Sequence, residues 1–78
     1  MTITWSHHPR VDESNCVVFD VKVKGVLVIV IISEEAEEER GLPLCKALAE
    51  RRLHHASIKG MLPQRLYVRT TDFGTALP

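Results

Sequence analysis

Val26-Leu27-Val28-Ile29-Val30-Ile31-Ile32 is a run of seven apolar residues, six of them β-branched. Successive side chains of a strand point to opposite faces, so a strand made from this run is apolar on both sides. Such a strand is normally internal to a sheet and covered from above and below. Its length and composition fit a strand, and its neighbours on both sides supply the punctuation that ends one.

Immediately upstream, Cys16 to Val23 is a second β-rich segment, separated from the first by Lys24-Gly25. A two-residue turn at Lys24-Gly25 sets Val23 opposite Val26, Val21 opposite Val28, Phe19 opposite Val30 and Val17 opposite Ile32. Directly opposed residues share a sheet face, so these eight form one unbroken apolar surface. Lys is a poor first residue for a type I′ turn, which needs positive φ. A bulged turn, however, would slip the register and set Lys22 beside Val26. The apolar pattern therefore favours the tight turn.

Downstream, Ser33 can cap a helix, and Glu34, Glu35, Glu37, Glu38 and Glu39 suit the positive end of its dipole. Gly41 and Pro43 interrupt, and Pro is tolerated in a first turn, so a second helix begins near Pro43. Cys45, Leu48, Ala49, Leu53 and Ala56 fall on one helical face, suited to cover the hairpin. Gly60 and Pro63 punctuate again. In Arg65–Thr70 strand-like residues return, with Leu66 and Val68 alternating against Arg65, Tyr67 and Arg69. Thr2 to Trp5 reads as a short strand, within a first fifteen residues that form either such a strand or a poorly ordered arm. The expected architecture is a single α+β domain over residues 1–78. It joins an antiparallel β-hairpin and a C-terminal strand in one small sheet, with helical cover on one face.

One layer of helix leaves the other face bare. There Leu27, Ile29 and Ile31 stand beside Lys22, Asp20 and Val18. Full burial of a Leu or Ile is worth about 1.5–3 kcal/mol, so three amount to about 5–9 kcal/mol. That is comparable with the whole stability of a small domain, ~5–15 kcal/mol. The candidates to cover it are the N-terminal segment with Ile3 and Trp5, a second copy of the chain, or a different protein. Tyr and Arg around an aliphatic centre are typical of interfaces. Val18, Leu27, Ile29, Ile31, Arg65, Tyr67 and Arg69 are therefore the expected interface, with a homodimer as the leading form and an unidentified protein as the other.

The 78 residues are 45% hydrophobic and 26% charged, which is ordinary for a folded domain and argues against wholesale disorder. Ten Lys and Arg balance ten Asp and Glu, so no global field draws in nucleic acid or an acidic membrane. The longest apolar run, seven residues, is far short of the ~20 of a membrane span. Met1 to Arg10 carries no signal-peptide core, which makes the cytoplasm the expected location. The charge is nonetheless divided: residues 1–39 carry a net −5 and residues 40–78 a net +5. Opposite halves favour head-to-tail association or pairing between elements. They also raise an alternative, in which Arg51, Arg52, Arg65, Tyr67 and Arg69 grip single-stranded nucleic acid by stacking and phosphate contact. Small size alone raises another, a phage- or plasmid-encoded inhibitor of a host protein.

Chemistry is poorly supplied. His7-His8, His54-His55, Cys16 and Cys45 are metal-binding types at spacings unlike the usual zinc frameworks. Adjacent helical residues point about 100° apart, so His54 and His55 cannot share an ion. Two cysteines do not make a disulfide scaffold. Cys45 lies on the apolar helix face, where a thiol tends to be inert. The Glu run lacks the Gly-centred loop of a calcium site, and Gly25, Gly41, Gly60 and Gly74 stand too far apart to cradle phosphate. No metal, cofactor or enzymatic activity is expected.

Cys16 to Val28, continuing through Ile32-Ser33-Glu34-Glu35-Ala36, resembles the opening of a family of short bacterial proteins catalogued as domain of unknown function 1488. In that family a strand with a central aromatic, a Gly-containing turn, a second strand and an Ile-Ser-x-Glu-Ala helix start follow one another. Leu66-Tyr67-Val68-Arg69-Thr70-Thr71-Asp72-Phe73 resembles its closing strand. The likeness covers about 30 of the 78 residues, and Glu37 to Gln64 departs from the pattern. The resemblance implies a small α+β domain of the bacterial cytosol and carries over no catalytic residue.

Overall fold

The computed structural model describes residues 2–73. Its centre is the hairpin of β3 (Val17–Val23) and β4 (Val26–Ile32). The pairing runs from Val23↔Val26 to Val17↔Ile32, the register that the apolar pattern favours. Lys24 and Gly25 take φ of +53° and +83°, the paired positive values of a type I′ turn. Gly25 accepts this without strain. Lys24 is held there by seven ladder pairs that a slip would turn inside out.

Ser33 ends β4 and caps α1 (Glu34–Arg40), its Oγ accepting from the Ala36 amide at 3.1 Å. Gly41, at φ +82° and ψ 151°, turns the chain between α1 and α2 (Leu42–Ile58), a conformation that disfavours any residue with a Cβ. The two helices form the crossover that a parallel pair requires. The chain re-enters the sheet as β5 (Arg65–Val68), parallel to β4, with Ile29↔Arg65 and Ile31↔Tyr67 in register. A 3₁₀ turn, Thr70–Phe73, follows. At the other side of the hairpin, β1 (Ile3–Trp5) and the two-residue β2 (Arg10–Val11) both pair antiparallel with β3. The sheet order is β1-β3-β4-β5, with β2 beside β1 along the same edge of β3.

The core lies between the sheet and the helices. Val17, Phe19, Val21, Val23, Val28, Val30 and Ile32 face Ala36, Cys45, Ala49 and Leu53, and β5 adds Leu66 and Val68. Leu48 packs at its margin. The molecule is only 17 Å through its thinnest dimension, as expected for one sheet and one helical layer.

The N-terminal strand joins the helical side. Ile3 and Trp5 stand opposite Val23 and Val21 and so share their face. Trp5 meets the Phe19 ring edge-on at 5.2 Å, donates from Nε1 to Glu50 at 2.7 Å, and lies under the Lys46 ammonium at 4.8 Å. This corrects one expectation: Ile3 and Trp5 do not cover the second face of the sheet, because the register with β3 directs them at α2.

Candidate interaction face

On the face turned away from the helices, β4 places Leu27, Ile29 and Ile31 in a row. β3 adds Val18, Asp20 and Lys22, and β5 adds Arg65 and Tyr67. The helices lie on the other face, and at one end of this row Arg10 and Val11 of β2, with Asp12, border a hollow of about 300 Å³ with Ile29, Ile31 and Arg65. Leu27 is 52% exposed and Tyr67 43%, whereas Ile29 and Ile31 are half-buried by their neighbours in the sheet. Val18 is only 7% exposed. It is flanked by Ile31 on one side and by Arg10 of β2 on the other, so it has little surface to offer. The greasy stripe therefore runs through Leu27, Ile29, Ile31 and Tyr67.

Charged groups border it. Arg10 makes a two-pronged contact with Asp20, Nη1 to Oδ2 at 2.9 Å and Nη2 to Oδ1 at 3.2 Å. The hydrogen bond from Arg10, followed by its positive charge, holds the Asp20 carboxyl below the usual range. Lys22 and Arg65 are exposed. Arg69, just past β5, sets its guanidinium 5.2 Å from the Tyr67 ring centre. Arg65, Tyr67 and Arg69 are thus brought together.

The free edge of β5 is guarded. Arg52, reaching from α2, donates from Nη1 to the Tyr67 carbonyl at 3.1 Å and lies 3.4 Å from Asp72 Oδ2. The same Oδ2 accepts from the Arg69 amide at 2.8 Å. With the Tyr67 carbonyl and the Arg69 amide occupied, the C-terminal end of this edge is a poorer template for another strand. The opposite edge consists of strands of three and two residues. The face, more than either edge, is what the sheet offers a partner.

The five residues of the nucleic-acid alternative do not share one surface. Arg51 and Arg52 belong to α2, on the helical side, while Arg65 and Tyr67 project from the opposite side of the sheet. His54 and His55 are exposed on α2, and His7 and His8 are exposed between β1 and β2. Among the described residues no group of three or more His, Cys, Asp or Glu is placed to hold a metal ion. Cys45 is fully buried, with its Sγ 3.5 Å from the Ala36 carbonyl oxygen. Burial, with a smaller contribution from the Glu37 carboxylate, pushes its thiol up and away from the reactive thiolate. Among the described residues no helix is long and apolar enough to cross a membrane.

No protein-family model, curated protein or solved structure matches this chain.

Sequence reasoning missed three contacts: Arg10 with Asp20, Lys46 over Trp5 and Phe19, and Arg52 on the β5 edge. The first lies between residues ten apart, one of them in a strand too short to carry a periodic signal. The others join elements whose relative placement only the fold decides.

Proposed function

We propose that the protein is a small non-enzymatic interaction module that self-associates, two copies meeting through the open face of the sheet. The observation that carries this reading is the uncovered row of Leu27, Ile29, Ile31 and Tyr67 beside an edge whose C-terminal end Arg52 blocks. A two-fold contact sets that row against itself, burying apolar surface from both copies with the charged groups left at the rim. From ~4.8 Å between strands and ~3.4 Å per residue, the face offers on the order of 400 Å² per copy. That is below the roughly 800 Å² of a standard interface. The dimer is accordingly weak, forming at high protein concentration and dissociating on dilution. The resemblance to short bacterial proteins supports reading such a module as one of the bacterial cytosol.

Light scattering over a concentration series tests the reading. The expected mass approaches twice 8.8 kDa at high concentration and falls to 8.8 kDa on dilution. A mass of 8.8 kDa at millimolar concentration contradicts it.

A second reading rests on the Arg65–Tyr67–Arg69 group, with one guanidinium already against the ring. Single-stranded nucleic acid stacked there would bind with affinity that falls steeply with salt. A labelled oligothymidine that fails to bind at low salt removes it.

A further inference from the structure

The divided charge is not reconciled within the chain. Among the described residues the two ion pairs are Arg10–Asp20, inside the acidic half, and Arg52–Asp72, inside the basic half. Three of the seven Lys and Arg of the basic half, Arg51, Arg52 and Lys59, lie along the last turns of α2 and at its C-cap. Arg51, His55 and Lys59 follow one another at four-residue spacing, which stacks them in a row about 12 Å long. The row forms one wall of a groove of about 840 Å³ between α2 and the β5–3₁₀ segment. Leu48, Leu66 and Phe73 line its floor, and Met61, 74% exposed, stands at its rim. The one carboxylate lining the groove, Asp72, lies against Arg52.

We propose that this groove docks an acidic amphipathic helix of a partner protein. Carboxylates one turn apart on that helix would meet Arg51, His55 and Lys59, and its apolar ridge would lie on Leu48, Leu66 and Met61. Three features select this occupant. Two cations about 12 Å apart along the helix axis, Arg51 and Lys59, with the His55 imidazole between them, match carboxylates spaced along a helix better than the single head group of a small anion. Single-stranded nucleic acid needs free aromatic faces for its bases, and the groove's one aromatic, Phe73, has the Arg40 guanidinium 5.3 Å from its ring centre. A second copy is unsuited, because the acidic helix of this chain, α1, buries its one apolar residue, Ala36, in its own core. The groove lies on the opposite side of the sheet from the self-association face, so docking there does not depend on dimer formation.

The test uses fluorescence anisotropy of three labelled probes against the full chain. The first is a helical peptide of about eighteen residues, with Glu at four-residue spacing beside a Leu and Phe ridge. The second has the same composition in scrambled order, and the third is a fifteen-nucleotide oligothymidine. Ordered peptide is expected to bind at least tenfold tighter than either of the others. The double variant Arg51→Glu/Lys59→Glu, at two exposed positions, should lose at least tenfold in affinity with its circular dichroism unchanged. Arg65→Glu, on the far face, should stay within twofold of wild type. Equal binding of the scrambled peptide, tighter binding of the oligonucleotide, no binding at millimolar concentration, or an unaffected Arg51→Glu/Lys59→Glu variant would each overturn the proposal.

Discussion

Val30 and Ile29 are neighbours in one strand, yet they live in different solvents. Val30 is sealed under α2 with no exposed surface, whereas Ile29 lies half-buried on a face with no layer above it. Both come from the same apolar run, and a strand deals them alternately to its two sides. The difference teaches that a residue's hydrophobicity does not determine its burial; the number of layers the chain can build does. A seven-residue helix and a seventeen-residue helix suffice to close one side. The other side is closed only as far as the sheet's own side chains can lean on one another.

Substitutions on the two sides should therefore part company. The largest expected loss is at the sealed side: Leu53→Ala should destabilise the fold by about 2–5 kcal/mol, read from urea denaturation, because the helices cannot collapse into the void. Val30→Ala should follow at about 2 kcal/mol, from its lost methyl groups and the small cavity they leave. Ile29→Lys on the open side should change the stability of the dilute monomer by less than about 1 kcal/mol, since a lysine stem can lie along the sheet with its ammonium in water. It should instead abolish the concentration-dependent rise in mass. A loss at Ile29→Lys as large as that at Val30→Ala would erase the distinction between the sides.

Smaller effects sharpen the comparison at its borders. Ser33→Ala, at the point where β4 hands over to α1, should lower stability by about 1 kcal/mol through loss of the cap. Asp20 gives a pH signature on the open face. Its folded-state value is depressed by Arg10, so its contribution is present above the ordinary carboxylate range and is lost as pH falls through the depressed value. Asp20→Asn should therefore be less stable than wild type near neutrality, and the gap should close on acidification and shrink in high salt. A gap that widens in acid would mean that the Arg10 contact is not what holds the group.

How much of this could be read in the sequence follows the same line between local and long-range causes. The hairpin register, the Ser33 cap and the Leu42–Ile58 helix were legible because each rests on residues adjacent in the chain. The uncovered face was legible too, since the run Val26–Ile32 has two greasy sides and the sequence offers one helical layer. The side chosen by Ile3 and Trp5 was not: a one-residue slip against β3 reverses it, and three residues give no periodicity to fix it. Val18 fitted the open face by alternation, but its flanking by Arg10 depends on a two-residue strand that leaves no pattern. The split of the arginines between two surfaces was hidden for a related reason. Arg52 and Tyr67 are fifteen residues apart and meet at a sheet edge, backbone to side chain, where no spacing rule applies.

The most direct test is methyl NMR of the wild-type protein with a water-soluble paramagnetic agent, at low and at high protein concentration. The Ile29 and Ile31 methyl signals should be broadened by the agent when the protein is dilute and shielded from it, as those of Val30 are throughout, when it is concentrated. If those isoleucine methyls stay equally accessible at every concentration, the open face does not receive a second copy.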